Sequence, residues 1–132
     1  MGYAGADYIA AQGKTMSAFG RDVADLLGWL YRGLYHLPDD VLRKIDWSDD
    51  RCIVVKLGRE ATLSTWDWNT LTLLVFLCHK MAIRCEILPC NMQKLTIHFH
   101  RRKRGGDMAE RHPTLAEAVK SFEENCYLPD RE

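Results

Sequence analysis

The sequence predicts a single α+β domain of two layers, in which helices pack on one face of a mixed sheet of three to four strands. Three observations support this prediction. The chain has 132 residues, a length that suits one domain spanning 1–132. Segments of helical periodicity alternate with segments of strand periodicity. In the last two predicted strands every second residue is polar, which indicates a sheet with one buried face and one solvated face.

The composition is typical of a folded domain. Hydrophobic residues make up 47% of the chain and charged residues 27%, which is enough apolar surface to offset chain entropy. The 18 basic residues balance the 18 acidic residues, so no net charge draws the whole protein to nucleic acid or to a membrane. The sequence contains neither an apolar run of membrane-spanning length nor a secretory signal. Together with an odd number of cysteines, this leads us to expect a cytoplasmic protein with reduced thiols and no membrane partner.

The N-terminal third is predicted to be helical. Residues 1–14 are small and weakly patterned, and they are expected to form either a loose N-terminal arm or a frayed helix. From about Thr15 an apolar stripe of helical period runs to about His36, where the following Pro38 ends the helix. Pro38 then suits the first turn of a short helix that ends near Ile45.

The middle of the chain predicts a strand, a helix and a crossover. Residues 52–57 alternate as a strand whose inward side chains are Ile53, Val55 and Leu57. Residues 61–63 would supply the fourth strand. The helix 66–81 has an apolar arc of more than half its circumference, so we expect a second helix or a second subunit to cover it in addition to the sheet. If the first strand pairs in parallel with 83–88 through this helix, the crossover must be right-handed, and the strand order stays open.

A β-hairpin and a last helix complete the predicted fold. The odd-numbered residues of 83–87 and 95–99 are apolar and the even-numbered ones are polar, so the two strands are expected to form a hairpin with one wet face. Thr114 and Glu117 match the capping box that begins a helix.

Several cysteines and histidines lie close together in the sequence between residues 78 and 100, which makes metal binding a hypothesis. Cys85 belongs to the inward face of its strand, whereas His98 and His100 belong to the outward face. Ligands on opposite faces of a sheet cannot converge on one ion. We therefore expect no bound metal and no cofactor, with buried thiols and two surface imidazoles instead.

Nucleic-acid binding is favoured by a basic segment at the end of the last strand. Four consecutive cations follow two outward-facing histidines, and a mobile basic loop beside a wet sheet face can contact phosphates. The same run also suits a solvated hairpin tip that protects the sheet edge. The candidate nucleic-acid-binding residues are His98, His100, Arg101, Arg102, Lys103 and Arg104.

Each sequence motif that could indicate catalysis is explained better by an ordinary structural role. The Gly13-Lys14-Thr15 sequence lacks the earlier glycine and the preceding strand of a phosphate-binding loop. Cys78 lies on an apolar helix stripe, where a thiol is inert, and no nucleophile elbow occurs. An enzyme of unknown reaction is therefore the third hypothesis, after the two binding functions, and the sequence favours a protein that is not an enzyme.

One resemblance adds a context. The order helix, hairpin, helix over residues 66–125, with a last helix opened by residues 112–118 (His-Pro-Thr-Leu-Ala-Glu-Ala), resembles small α+β proteins encoded by bacteriophages and prophages. This resemblance implies a small cytosolic protein of bacterial or phage origin without known catalysis. It assigns no functional residue.

The preferred hypothesis is a non-enzymatic interaction protein that acts by self-association and by contact with a protein partner. A neutral chain has no electrostatic barrier to self-association, and its separated basic and acidic patches can orient a partner. Aromatic side chains on the flanks of the helical stripes are enriched at interfaces. The residues expected at a homodimer interface are Trp29, Tyr31, Tyr35 and Phe76.

Overall fold

The computed structural model describes residues 4–30, 37, 39–57, 68–91, 94–102 and 113–125. These residues form five helices and three strands in an α+β arrangement. In chain order the elements are α1 (Ala4–Ala11), α2 (Ala18–Leu30), α3 (Asp39–Arg43), β1 (Cys52–Leu57), α4 (Trp68–Lys80), β2 (Ile83–Asn91), β3 (Lys94–Arg101) and α5 (Leu115–Asn125). None of the helices in these ranges is long and apolar enough to cross a membrane.

The three strands form a sheet in the order β1-β3-β2, and both neighbouring pairs are antiparallel. The prediction of a mixed sheet was wrong for these three strands, because the parallel pairing considered for β1 and β2 is not formed. The hairpin partner β3 lies between them and uses both of its edges, so the connection through α4 crosses over β3 instead of joining adjacent strands. The predicted fourth strand at 61–63 lies outside the described residues.

The strand residues predicted to face inward form the sheet's contribution to the core. Ile53, Val55, Ile97 and Phe99 are all essentially inaccessible to water. Cys85 lies opposite Phe99 and packs against this core. Cys78 of α4 lies beside this thiol, and the contact with Cys85 together with burial raises the pKa of Cys78. The helix α4 is thereby joined to the inner face of the sheet.

Helix α1 is an ordered part of the domain, so the loose-arm alternative does not describe Ala4–Ala11. Gly5 approaches the backbone of Ala24 so closely that a Cβ at Gly5 would lie 1.7 Å from the Ala24 oxygen. The amide N–H of Ala6 donates a 2.9 Å hydrogen bond to Asp25. Ile9 is completely buried. The small residues that weakened the helical pattern are therefore the ones that allow close helix packing.

Two helix starts have capping side chains. The hydroxyl of Ser17 accepts a 2.8 Å hydrogen bond from the N–H of Gly20 at the start of α2. At the start of α5, Glu117 accepts from the N–H of Thr114 at 2.9 Å, and Thr114 accepts from the N–H of Glu117 at 3.2 Å. This reciprocal pair is the predicted capping box.

The broad apolar arc of α4 contacts α5 as well as the sheet. The Phe76 ring meets the Phe122 ring edge to face, with centroids 5.5 Å apart. Lys80 extends over the same Phe76 ring. Of the two predicted partners for the apolar arc, a second helix and a second subunit, the second helix therefore covers part of it within one chain.

Candidate functional site on the outer face of the sheet

The side of the sheet opposite the core, here called the outer face, carries mainly polar side chains together with the apolar Val54 and Leu88. The strand register places these side chains in rows across β1, β3 and β2. Most of them are half-buried or exposed. The three rows are Cys52–His100–Arg84, Val54–His98–Glu86 and Lys56–Thr96–Leu88.

Three of these side chains converge. One ligand atom each from Cys52, His98 and His100 lies within 4.8 Å of the others, and all three residues are half-buried. The imidazole rings of His98 and His100 are 5.9 Å apart between centroids. Two neighbouring strands therefore bring one sulfur and two nitrogen donors together.

Glu86 fixes the orientation of one of these rings. One carboxylate oxygen lies 2.9 Å from Nε2 of His100. The other oxygen is 3.3 Å from the guanidinium of Arg84. Both oxygens of Glu86 are thus engaged, and the His100 ring is held from the β2 side.

The environment of Cys52 keeps its thiol protonated. Partial burial raises the pKa of Cys52, and the carboxylates of Asp49 and Glu86 raise it further. Asp49 also accepts hydrogen bonds from the N–H groups of Arg51 and Cys52 at 2.8 and 3.0 Å, which lower the pKa of Asp49 and fix the start of β1. Because the thiolate is the reactive form, a protonated Cys52 is a weak nucleophile at neutral pH.

A basic depression of about 590 Å³ adjoins the Cys52–His98–His100 cluster and shares His100 with it. The strand ends supply most of its charge: Arg51 precedes β1, Arg84 lies on β2 and Arg102 follows β3. The complete lining is Asp50, Arg51, Arg84, His100, Arg101 and Arg102. A smaller depression of about 410 Å³ lies where α3 and the following residues meet Cys52, Val54 and Lys56.

Arg101 differs from the other arginines of the depression because its guanidinium is used by the fold. It pairs with Asp22 of α2, donates a 3.2 Å hydrogen bond to the carbonyl of Met81, and lies 4.8 Å from the centroid of the Phe19 ring. Its side chain is only 15% exposed. The guanidinium predicted to contact phosphate is therefore a structural link between β3 and α2.

The other predicted site residues are placed as follows. His98 and His100 lie on the outer face and Arg102 is exposed at its edge, whereas Lys103 and Arg104 lie outside the described residues. Of the predicted interface residues, Trp29 packs partly buried against the core and Phe76 contacts Phe122. The remaining two, Tyr31 and Tyr35, also lie outside the described part of the chain.

Sequence reasoning overlooked Cys52, Arg51 and Arg84 as site residues. Cys85 does lie on the inner side, where it contacts Cys78, and cannot join the histidines. Cys52 was overlooked as a ligand, although the inward assignment of Ile53 already placed Cys52 outward. The missing signal was the pairing of β1 with β3, which sets Cys52 directly opposite His100.

Comparisons of the chain with protein-family models, curated proteins and solved structures find no match. The function of the chain is therefore inferred from the residues of the outer face. The resemblance to phage-encoded proteins stays a prediction.

Proposed function

We propose that this chain is a non-enzymatic binding protein of a bacterial or phage cytoplasm, and that its outer face binds the phosphate backbone of nucleic acid. In this proposal the ligand binds the part of the outer face that α3 and the residues after it leave open. The observation that carries the proposal is the basic depression. There Arg51, Arg84 and Arg102 come from three different parts of the chain and share one concave surface.

Charge complementarity supports this ligand. Among the residues that line the depression, Asp50 is the only acid beside four arginines. Arg101 is occupied by Asp22, but Arg51 and Arg102 are exposed and Arg84 has only a surface contact with Glu86. Surface ion pairs of this kind are weak, so a phosphate can compete for Arg84. The basic residues that follow, Lys103 and Arg104, add two charges along the sequence.

The experiment is a fluorescence-anisotropy titration of a labelled single-stranded oligonucleotide over a series of salt concentrations. The test variant is Arg51→Ser/Arg84→Ser/Arg102→Ser. For single strands, each lost phosphate contact reduces the log–log salt slope by roughly 0.7, so we expect a reduction of about 2 along with weaker binding.

The matched control removes the same charge from elsewhere, as Arg21→Ser/Arg43→Ser/Lys120→Ser. These three side chains are exposed and lie outside the outer face. The control should keep the wild-type slope. The proposal is wrong if the wild type does not bind at low salt, or if the two triple variants lose affinity equally.

Self-association is the second candidate function, and one observation favours it. Val75 on α4 is 49% exposed, beside Phe76 in the sequence. An apolar side chain left open on such a helix could be covered by a second copy of the chain.

Sedimentation tests this candidate. We expect about twice the 15.2 kDa chain mass at micromolar concentration for the wild type, and the monomer mass for Val75→Glu. Val75 is the better site for the substitution, because Phe76→Glu would also break the contact with Phe122. A wild type that sediments as a monomer rules the candidate out.

A further inference from the structure

We propose that Cys52, His98 and His100 form a binding site for a divalent transition-metal ion of the zinc class, with Glu86 as a positioning residue for His100. The site shares His100 with the basic depression but depends on different chemistry. It uses a sulfur and two imidazoles, whereas the nucleic-acid proposal depends on arginines.

The distances suit one ion. Zinc binds nitrogen at about 2.0–2.1 Å and sulfur at about 2.3 Å, so ligand atoms at a tetrahedral ion lie roughly 3.3–3.6 Å from one another. The three donor atoms here already lie within 4.8 Å of one another. Rotations of side-chain torsions can close the remaining gap, which is at most about 1.5 Å on those tetrahedral separations, without moving the strands.

The scaffold favours convergence. Cys52 and His100 are directly opposed on β1 and β3, and His98 is two residues from His100 on the same face. Opposed residues of an antiparallel pair have Cβ atoms about 4.5–5.5 Å apart, and two-residue spacing keeps both histidines on one side. The hydrogen-bonded ladder thus sets the donor positions, so little ordering is needed when the ion binds.

Glu86 has the arrangement that commonly supports a metal-bound histidine. Its oxygen lies 2.9 Å from Nε2 of His100. A carboxylate on one ring nitrogen fixes the tautomer and orientation and leaves the other nitrogen, Nδ1, to coordinate. Because the other oxygen of Glu86 is held by Arg84, Glu86 itself is not counted as a ligand.

The donor set indicates the kind of ion. One thiolate with two imidazoles suits borderline and soft ions such as Zn²⁺, and disfavours Mg²⁺ and Ca²⁺, which prefer oxygen. Three protein ligands on a half-buried surface leave a fourth position for water or another molecule. Binding requires the Cys52 thiol to lose its proton, so the ion's affinity should rise with pH.

The experiment measures zinc stoichiometry and affinity by calorimetry, and the donor set by the absorption of the cobalt-substituted protein. We expect one zinc per chain and a thiolate-to-cobalt charge-transfer band. Cys52→Ser should abolish the band, and His98→Ala should weaken zinc binding by at least 100-fold. Glu86→Gln should weaken it by about 10–100-fold, the usual effect of a residue that orients a ligand, while the cobalt band is retained.

Two controls separate this site from other thiols. Cys85→Ser removes an inner-face thiol and should leave zinc affinity unchanged. Cys90→Ser/Cys126→Ser removes Cys90 of β2 and Cys126, which lies outside the described residues, and this variant should also bind one zinc. Unchanged zinc affinity in Cys52→Ser, a cobalt spectrum without a sulfur band, or loss of zinc in the Cys90/Cys126 variant would each overturn the proposal. If Cys52→Ser does not fold, the folded His98→Ala variant decides the question. Zinc affinity in that variant equal to that of the wild type would overturn the proposal.

Discussion

Gly5→Ala should strongly destabilise the domain, although alanine is the better helix former. The added Cβ would lie 1.7 Å from the oxygen of Ala24 and 2.4 Å from its carbonyl carbon, whereas ordinary contacts begin at 3.4 Å. The obstacle is backbone, so α1 must move away from α2 by roughly the missing distance. That movement breaks the hydrogen bond from Ala6 to Asp25 and exposes Ile9.

The size of the effect follows from these two losses. Burying an isoleucine side chain contributes about 1.5–3 kcal/mol, and a hydrogen bond to a charged group about 1.5–3 kcal/mol. The helix propensity gained by replacing glycine with alanine returns about 1 kcal/mol. The expected net loss is therefore about 2–5 kcal/mol, a large share of the about 5–15 kcal/mol that stabilises a typical domain.

Urea unfolding followed by circular dichroism measures this loss as a lower midpoint at unchanged slope. The control is Gly13→Ala. A Cβ at Gly13 meets nothing within 4 Å, but the residue has φ +78°, so the variant should lose only about 1–2 kcal/mol from backbone strain. A Gly5→Ala protein as stable as the wild type, or more stable, would show that α1 does not pack on α2 at Gly5.

Three further predictions concern stability. Arg101→Met should lower the free energy of unfolding in urea by about 1.5–3 kcal/mol, because it removes hydrogen bonds of a charged group. The control Arg102→Met, at an exposed side chain, should change it by less than about 0.5 kcal/mol. Equal effects of the two substitutions would contradict the structural role of Arg101. Thr114→Ala should lower stability by about 0.5–2 kcal/mol through loss of the cap, and an unchanged melting temperature would argue against the capping box. Burial raises the pKa of Asp25 despite the hydrogen bond from Ala6, so its charged form opposes folding at neutral pH. Asp25→Asn should therefore stabilise the protein above the raised pKa, and this gain should disappear as the pH falls below the ordinary value of an unfolded aspartate; a gain that persists in acid would refute the assignment.

The sequence predicted local structure better than it predicted which elements meet. Alternation correctly assigned the inner and outer strand residues whose burial the structure describes, because a strand with one buried face must repeat every two residues. The capping box at Thr114 was also correct, because its hydrogen bonds are local. The strand order was left open and the mixed sheet was wrong, because alternation says nothing about which edges pair.

The candidate site shows the same limit. His98 and His100 were predicted to face outward, but their convergence with Cys52 depends on the pairing of β1 with β3. The alternation of 95–99 already indicated an inward Arg101. Because Arg101 belongs to a run of four basic residues, it was predicted to contact phosphate instead. The contacts with Phe19 and Asp22 show how an arginine is accommodated on the inner side.

Of the functions proposed, nucleic-acid binding by the outer face of the sheet is the one on which the others depend least. The most direct measurement is a titration of ¹⁵N-labelled protein with a single-stranded oligonucleotide, followed by amide chemical shifts at low salt. Binding at this face predicts that the largest shifts fall at Arg51, Arg84, His100 and Arg102, and that the amides of α1 are unaffected. Shifts concentrated on α1 and α2, or no shifts at an oligonucleotide excess, would contradict it.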